Sequence, residues 1–219
     1  MGRPNGIGWA VARRLADRGA RLCLHHLPGE HPQFPEALTI AEDFTDPDAP
    51  ERCVAAAAPL DILVVNHAYS SNRGLGELDA AELDHALAVN VRASLLLVQA
   101  FHSRHDGREG GRVILMTSGQ HRGPMPGELP YIAGKGALHQ LTRSLAAAVA
   151  AKRITVNCVD PGATDTGWAT PDVQAAVLAE EPFGRWGEPD DAARLIAFLC
   201  SDDARWITGQ VITSSGGGP

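Results

Sequence analysis

The chain lacks the patterns that would tie it to a metal, a membrane or a nucleic acid. Its nine histidines form no HExxH or comparable ligand spacing, so no metal is expected. No apolar run approaches the length of a membrane span, and the N-terminus has no signal-peptide pattern. Cys23, Cys53, Cys158 and Cys200 stand far apart without CxxC spacing, which reads as reduced, mostly buried thiols of a cytoplasmic protein. A net charge of −7 argues against nucleic acid or an anionic membrane as the main partner. What is present is 44% hydrophobic residues in 219, enough to bury one good core, so a single domain over 1–219 is expected.

Helical and strand-like segments alternate along the chain. Helices are predicted over 9–18, 50–58, 80–102, 129–151 and 190–199. Strands are predicted over 21–24, 37–40, 61–65, 111–117, 154–159 and 210–213. Pro28, Pro32 and Pro35 make the connection after the first strand an irregular loop. The run Asp61-Ile62-Leu63-Val64-Val65 suits a strand buried on both faces. Alternating βαβ units imply a doubly wound parallel sheet with helices on both faces and ligands at the C-terminal strand ends. The helix over 129–151 has almost no polar stripe, with Ala133, Gly134, Gly136, Ala137, Ala146, Ala147, Ala148 and Ala150 spread around it. Such a helix is buried on two sides, one against the sheet and one against a partner subunit or a loop of its own chain.

Ser118, Tyr131 and Lys135 carry the strongest chemical signal. Tyr131 and Lys135 at i, i+4 share one helix face, so phenol and ammonium can meet. An ordinary tyrosine titrates at about 10, too high for efficient proton transfer at neutral pH. Lowering that value by about three units takes roughly 4 kcal/mol. A cation about 4 Å away at an effective dielectric of about 20 supplies roughly that much. A lone Tyr-x-x-x-Lys is commonly a helix-surface pair, and Ser118 alone could be a strand-end hydroxyl.

Together with Gly6-Ile7-Gly8, Asp43-Phe44, Asn66-His67-Ala68, Asn90-Val91-Arg92-Ala93 and Asn157-Cys158-Val159-Asp160-Pro161-Gly162, the chain resembles the short-chain dehydrogenase/reductase family along essentially its whole length. The runs from Met116 to Leu129 and from Asp165 to Trp168 look like a 3-oxoacyl-carrier-protein-reductase-like subgroup. The resemblance implies a Rossmann-like fold and an NAD(P)(H)-dependent oxidoreductase interconverting a carbonyl and an alcohol in a small molecule. It implies Tyr131 as acid/base, Ser118 as hydrogen-bond donor to the substrate oxygen, Lys135 on Tyr131 and the nicotinamide ribose, and Asn90 holding a water of a proton relay. Asn90 could otherwise be a mid-helix polar residue satisfied by backbone. Cofactor contacts are implied at Gly2, Gly6, Ile7, Gly8, His26, Asp43, Phe44, Asn66, Ala68, Tyr131, Lys135, Pro161, Gly162 and Thr166. Asp43 could instead cap the helix after it, and Thr166 could be a helix N-cap. His67 and Tyr69 depart from the family's Asn-Asn-Ala-Gly, and Tyr69 is expected to crowd the backbone beside the cofactor ribose. A homodimer or homotetramer is implied.

The family's first strand is absent ahead of the glycine turn, because Met1 stands where that turn begins. Gly2-Arg3-Pro4-Asn5-Gly6-Ile7-Gly8 fits Gly-x-x-x-Gly-x-Gly, with Gly6 and Gly8 common to every alignment and Gly2 to one. Losing a central strand costs on the order of 10 kcal/mol, comparable with the stability of a domain. The expectation is therefore a longer natural reading frame or a compromised chain, against a real truncated protein whose sheet closes over the gap. His25-His26-Leu27 puts no carboxylate at the end of the second family strand, and Arg3 could meet a 2′-phosphate, which favours NADP(H) over NAD. Substrate recognition is assigned to 120–128 and to a mobile lid after Thr166. A family scaffold without redox activity, or cofactor-free chemistry on it, is the competing reading.

Overall fold

The computed structural model describes residues 5–30, 32, 34, 35 and 37–218. Gly2 and Arg3 lie outside the described residues. Six short strands all pair in parallel: β1 (Cys23–His26), β2 (Leu38–Ala41), β3 (Ile62–Val65), β4 (Gly111–Met116), β5 (Ile154–Asp160) and β6 (Val211–Thr213). They form two sheets among the described residues, β1–β2 and β3–β4–β5–β6. Seven α-helices connect them: α1 (Ile7–Ala16), α2 (Ala49–Ala57), α3 (Ala80–Leu87), α4 (Ala93–Arg104), α5 (Leu129–Val149), α6 (Pro171–Glu180) and α7 (Pro189–Leu199).

The alternation of β4 sorts its side chains onto two cores, as the period-2 geometry of a strand requires. Val113 and Leu115 join Phe101, Leu97, Val54 and Val149 beneath α2, α4 and α5. Ile114 and Met116 join Val11, Ile196 and Leu199 beneath α1 and α7. Both β4 and β5 are buried throughout.

β3 departs from its sequence reading. Ile62, Leu63 and Val64 are only half-buried, although the run suits a strand covered on both faces. The reason is an apolar slot of about 720 Å³ between β1 and β3, walled by Leu24, Ile62, Val64, Val11, Val54 and Leu97. No ladder joins β1 to β3 among the described residues, so the sheet is cut at the position where the family resemblance lacks a strand.

The helix expected over 80–102 is three segments. A π-helical turn, Ala88–Arg92, separates α3 from α4 and carries the buried Asn90 at its centre. Such turns insert one extra residue and re-aim side chains, often at functional sites. α5 packs across it without a side chain in the way, because a Cβ on Gly134 would come 2.7 Å from the Asn90 Cβ. α5 buries one face, Gly134, Lys135, Leu138, Thr142, Ala146 and Val149. Ala133, Ala147, Ala148 and Ala150 are exposed, so no loop of the described chain covers the opposite face. The segment read as a lid contains a helix, α6, opened by Thr170, whose hydroxyl accepts the Val173 N–H.

Candidate active site

The C-terminal ends of β4 and β5 deliver two loops to one place, and α5 lays Tyr131 and Lys135 against them. Ser118 follows β4 in extended backbone and precedes a 3₁₀ turn, Gly119–His121. That turn is stapled at its root: Gln120 Oε1 accepts the Ser118 N–H at 3.2 Å, and Gln120 Nε2 donates to Thr117 Oγ1 at 3.0 Å. Thr117 Oγ1 in turn donates to the Lys135 carbonyl at 3.0 Å, locking α5 to the strand end.

The Ser118 hydroxyl lies near enough to the Tyr131 phenol to lower its pKa. Lys135 Nζ donates to the Met116 carbonyl at 3.1 Å and lies 5.7 Å from the centre of the Tyr131 ring. The expected acidified phenol is not met in this structure. Burial raises the Tyr131 pKa above 10.0, the Ser118 hydroxyl works in the opposite direction, and Glu128 and Asp160 add to the rise. Lys135 itself is lowered to about 8 by burial. Desolvation penalises both charged forms, and here it outweighs the attraction that a simple Coulomb argument foresees.

Asn90 is bound by backbone: its Oδ1 accepts the Tyr69 N–H and its Nδ2 donates to the Tyr69 carbonyl, both at 2.8 Å. The π turn thereby fixes the loop after β3. Tyr69 does not crowd that loop. Its hydroxyl donates to Glu82 Oε2 at 3.1 Å and its ring meets His85 edge-on at 4.3 Å, both on α3. His67 is held neutral, its pKa lowered to about 3 by burial, with Nε2 bonded to the Val89 carbonyl at 2.9 Å.

The residues assigned to a cofactor divide into three groups. Gly8, Phe44 and Asn66 line the slot's cavity. Gly6 is the N-cap of α1, which receives no side-chain cap and has no acidic residue in its first turn, so its amides are offered to an anion. Ile7 contributes only backbone there, since its side chain packs toward the α1–α7 core. His26 is buried with Nδ1 against the Leu27 carbonyl, and His25 takes its place on the cavity wall, stacked on Phe44 at 4.1 Å. The reason is parity: successive strand side chains point to opposite faces, so the neighbour faces the cavity. Asp43 is engaged locally, its Oδ1 accepting both the Thr45 N–H and hydroxyl at 2.9 Å. It caps a turn, and Asp48 is the N-cap of α2. Ala68 is exposed on the loop after β3, and Pro161, Gly162 and Thr166 lie on the loop after β5. Thr166 is not a helix N-cap, a place taken by Thr170.

Beside the site stand Arg122, within the segment assigned to substrate recognition, and Asp160, which the sequence reading placed only in a family motif. Asp160, the last residue of β5, is fully buried, and its Oδ2 accepts from Arg122 Nε at 2.9 Å. A carboxylate at the end of a fully buried strand was the available signal. Among the described residues no group of three or more His, Cys, Asp or Glu side chains could hold a metal ion. None of their helices is long and apolar enough to cross a membrane.

A parallel sheet wrapped by helices, with Ser, Tyr and Lys gathered at its C-terminal edge, defines a class of oxidoreductase scaffold. The chain belongs to the short-chain dehydrogenase/reductase family. The family model described as enoyl-(acyl carrier protein) reductase matches residues 2–218. The uncharacterized oxidoreductase YjdA of Bacillus subtilis is 41% identical over 230 residues, covering 96% of this chain and 91% of that protein. Human dehydrogenase/reductase SDR family member 4 is 34% identical, covering 98% of this chain and 84% of that protein. Among solved structures, the angucycline C-6 ketoreductase LanV with bound NADP has a TM-score of 0.86 at 32% identity, covering 99% of this chain and 93% of that one. A short-chain dehydrogenase/reductase from Serratia marcescens has a TM-score of 0.86 at 30% identity, covering 99% and 96%.

Proposed function

We propose that this protein is an NADP(H)-dependent reductase that interconverts a ketone and its secondary alcohol. The observation that carries the proposal is the gathering of Ser118, Tyr131 and the buried Lys135 at the end of β4, with Lys135 Nζ 5.7 Å from the centre of the Tyr131 ring. NADPH, when bound, supplies the hydride. The uncapped α1 N-terminus behind Gly6 and Gly8, with Asn66 on the cavity wall, fits the pyrophosphate and ribose of a dinucleotide. The absence of a carboxylate at His25-His26 favours the 2′-phosphorylated form, and LanV, a solved relative, holds NADP.

In the reductive direction Tyr131 donates its phenolic proton to the carbonyl oxygen as the alcohol forms. Ser118 donates a hydrogen bond to the same oxygen, where negative charge develops. The raised Tyr131 pKa keeps the phenol protonated at neutral pH, which suits a proton donor. Lys135 supplies the nearby cation that stabilises the phenolate left behind. Asn90 fixes the loop that carries Asn66 and Ala68. The substrate we put forward is a ketone, a 3-oxoacyl thioester or polyketide being compatible; the relative LanV is an angucycline C-6 ketoreductase. The exposed small-residue face of α5, including Ala147 and Ala148, supports a homodimer or homotetramer.

The test is titration with NADPH and with NADH, followed by turnover of a ketone panel with Tyr131→Phe as control. NADPH should bind more tightly, and the variant should lose roughly 10²- to 10⁴-fold in kcat while keeping its cofactor affinity. Wild-type turnover by the variant would remove Tyr131 from its role. The slot beside the glycine turn favours one second reading, a scaffold without redox activity, which absence of binding by either nucleotide would support.

A further inference from the structure

Asp160 is a carboxylate out of reach of water, its side chain 1% exposed, and the proton transfer above gives it no step of its own. Its bonds reach three separate segments. Oδ1 accepts the Gly162 N–H at 3.0 Å, fixing the turn after β5. Oδ2 accepts from Arg122 Nε at 2.9 Å, fixing the end of the turn that begins at Ser118. Arg122 Nη1 then donates to the Gly218 carbonyl at 2.9 Å, bringing in the C-terminal segment. The Asp160 backbone carbonyl holds the same segment by accepting the Ser214 N–H at 2.8 Å.

We propose that Arg122 and Asp160 are a positioning pair that holds the Ser118 turn in register with Tyr131 and balances the charge that Tyr131 experiences. The proposal rests on the reading of Tyr131 as the proton donor. Space enforces the pairing: a Cβ on Gly119 would lie 3.1 Å from Arg122 Nη2, so the guanidinium lies directly over the turn. With Asp160 1% exposed and Arg122 19%, removing Arg122 leaves a buried carboxylate without its cation, at a large penalty.

The groups facing Tyr131 are few. Lys135 lies below it on α5, Glu128 at the start of the same helix, and Asp160 at the end of β5. Arg122 and His121, on the Ser118 turn, face Asp160. His121 Nε2 is 3.8 Å from Asp160 Oδ2, and its ring meets His139 of α5 edge-on at 4.7 Å. Asp160 disfavours the phenolate, and Arg122 offsets Asp160. Removing Arg122 exposes Tyr131 to an unbalanced carboxylate and makes the phenol less acidic. Removing Asp160 leaves the guanidinium and makes it more acidic. Removing both should return it close to the parent.

The sequence contains only two tyrosines, so Tyr69→Phe leaves Tyr131 as the sole tyrosine. Tyrosinate absorbance can then be followed through alkaline titration in that background, without cofactor or turnover. Arg122→Leu should lower the acid constant roughly tenfold, and Asp160→Asn should raise it by a similar factor. The Arg122→Leu/Asp160→Asn double variant should titrate with the parent, and if Arg122→Leu does not fold, Asp160→Asn alone carries the test. In turnover, Arg122→Leu should lower kcat more than it changes KM, with Arg122→Lys recovering part of the loss. Titration curves that superimpose for the parent and for Arg122→Leu or Asp160→Asn would overturn the proposal. Because the titration reads ionisation alone, that result stays separable from a failure of Tyr131→Phe to lose activity.

Discussion

At the scale of single residues, the site was legible where chemistry is written in spacing and illegible where it depends on burial. Gly134 shows what a missing side chain does. Alanine there would gain roughly 1 kcal/mol in helix propensity. Its Cβ would also press on Asn90 at 2.7 Å, and overpacking of this kind costs about 1–3 kcal/mol. The steric cost wins, so Gly134→Ala should lower the thermal midpoint and the turnover rate together. Gly136 has nothing within 4 Å of the same added atom, and Gly136→Ala should raise the midpoint by the propensity gain alone.

His67 gives a second test at this scale. Its pKa falls from 6.5 unfolded to about 3 folded, so the unfolded chain binds more protons between those values. Stability is therefore intact above about pH 6.5 and is lost as pH falls toward 3, at up to about 1.4 kcal/mol per unit. His25, His105 and His139 are shifted the same way by burial and add to the slope. Urea midpoints measured on the acid side should fall less steeply for His67→Gln than for the parent; equal slopes would reject this account. The spacing of Ser118, Tyr131 and Lys135 foresaw that these three side chains lie together. Sequence spacing could not show that desolvation, rather than the neighbouring ammonium, dominates the phenol.

At the scale of elements, strand β4 and strand β3 look alike in sequence and differ in surroundings. Ile114 is fully buried while Ile62 is half-buried beside the slot. Ile114→Val should cost about 1 kcal/mol of unfolding free energy, and Ile62→Val clearly less. Equal losses in chemical denaturation would mean that the slot is filled in solution. Most strands and helices could be read from periodicity, because a strand alternation or a helical stripe is local. The π turn could not, since Leu83, Leu87, Val91 and Leu95 keep helical spacing on either side of it, and only the packing of α5 shows the extra residue. α6 escaped notice because none of its residues is buried, leaving no apolar stripe to detect.

At the scale of the molecule, α5 leaves Ala133, Ala147 and Ala148, among Gln140, Arg143 and Ser144, on a surface that the described chain does not cover. Alanine faces permit close backbone approach, and the proposed assembly uses this one. Sedimentation should give a mass at least twice 23.1 kDa, and Ala147→Glu should shift it toward the monomer. A monomeric parent would refute the assembly. The order of the units was legible from the alternation of helix and strand. The cut between β1 and β3 was expected only as a cost in energy, and its form, two separate ladders under shared helices, depends on packing over the whole chain.

That cut has a bearing on cooperativity. Hydrogen bonding across a sheet normally makes its strands melt as one, yet here the leading α–β ribbon is joined to the remaining four strands chiefly by helix packing, α1 on α7 and α2 on α4, and by the Arg14–Asp190 ion pair. Side chains do the joining instead: Val11 shares a core with Ile114 and Ile196, and Phe44 and Val54 share the other with Val65 and Leu97, so the attachment of this ribbon rests on buried apolar area rather than on backbone hydrogen bonds.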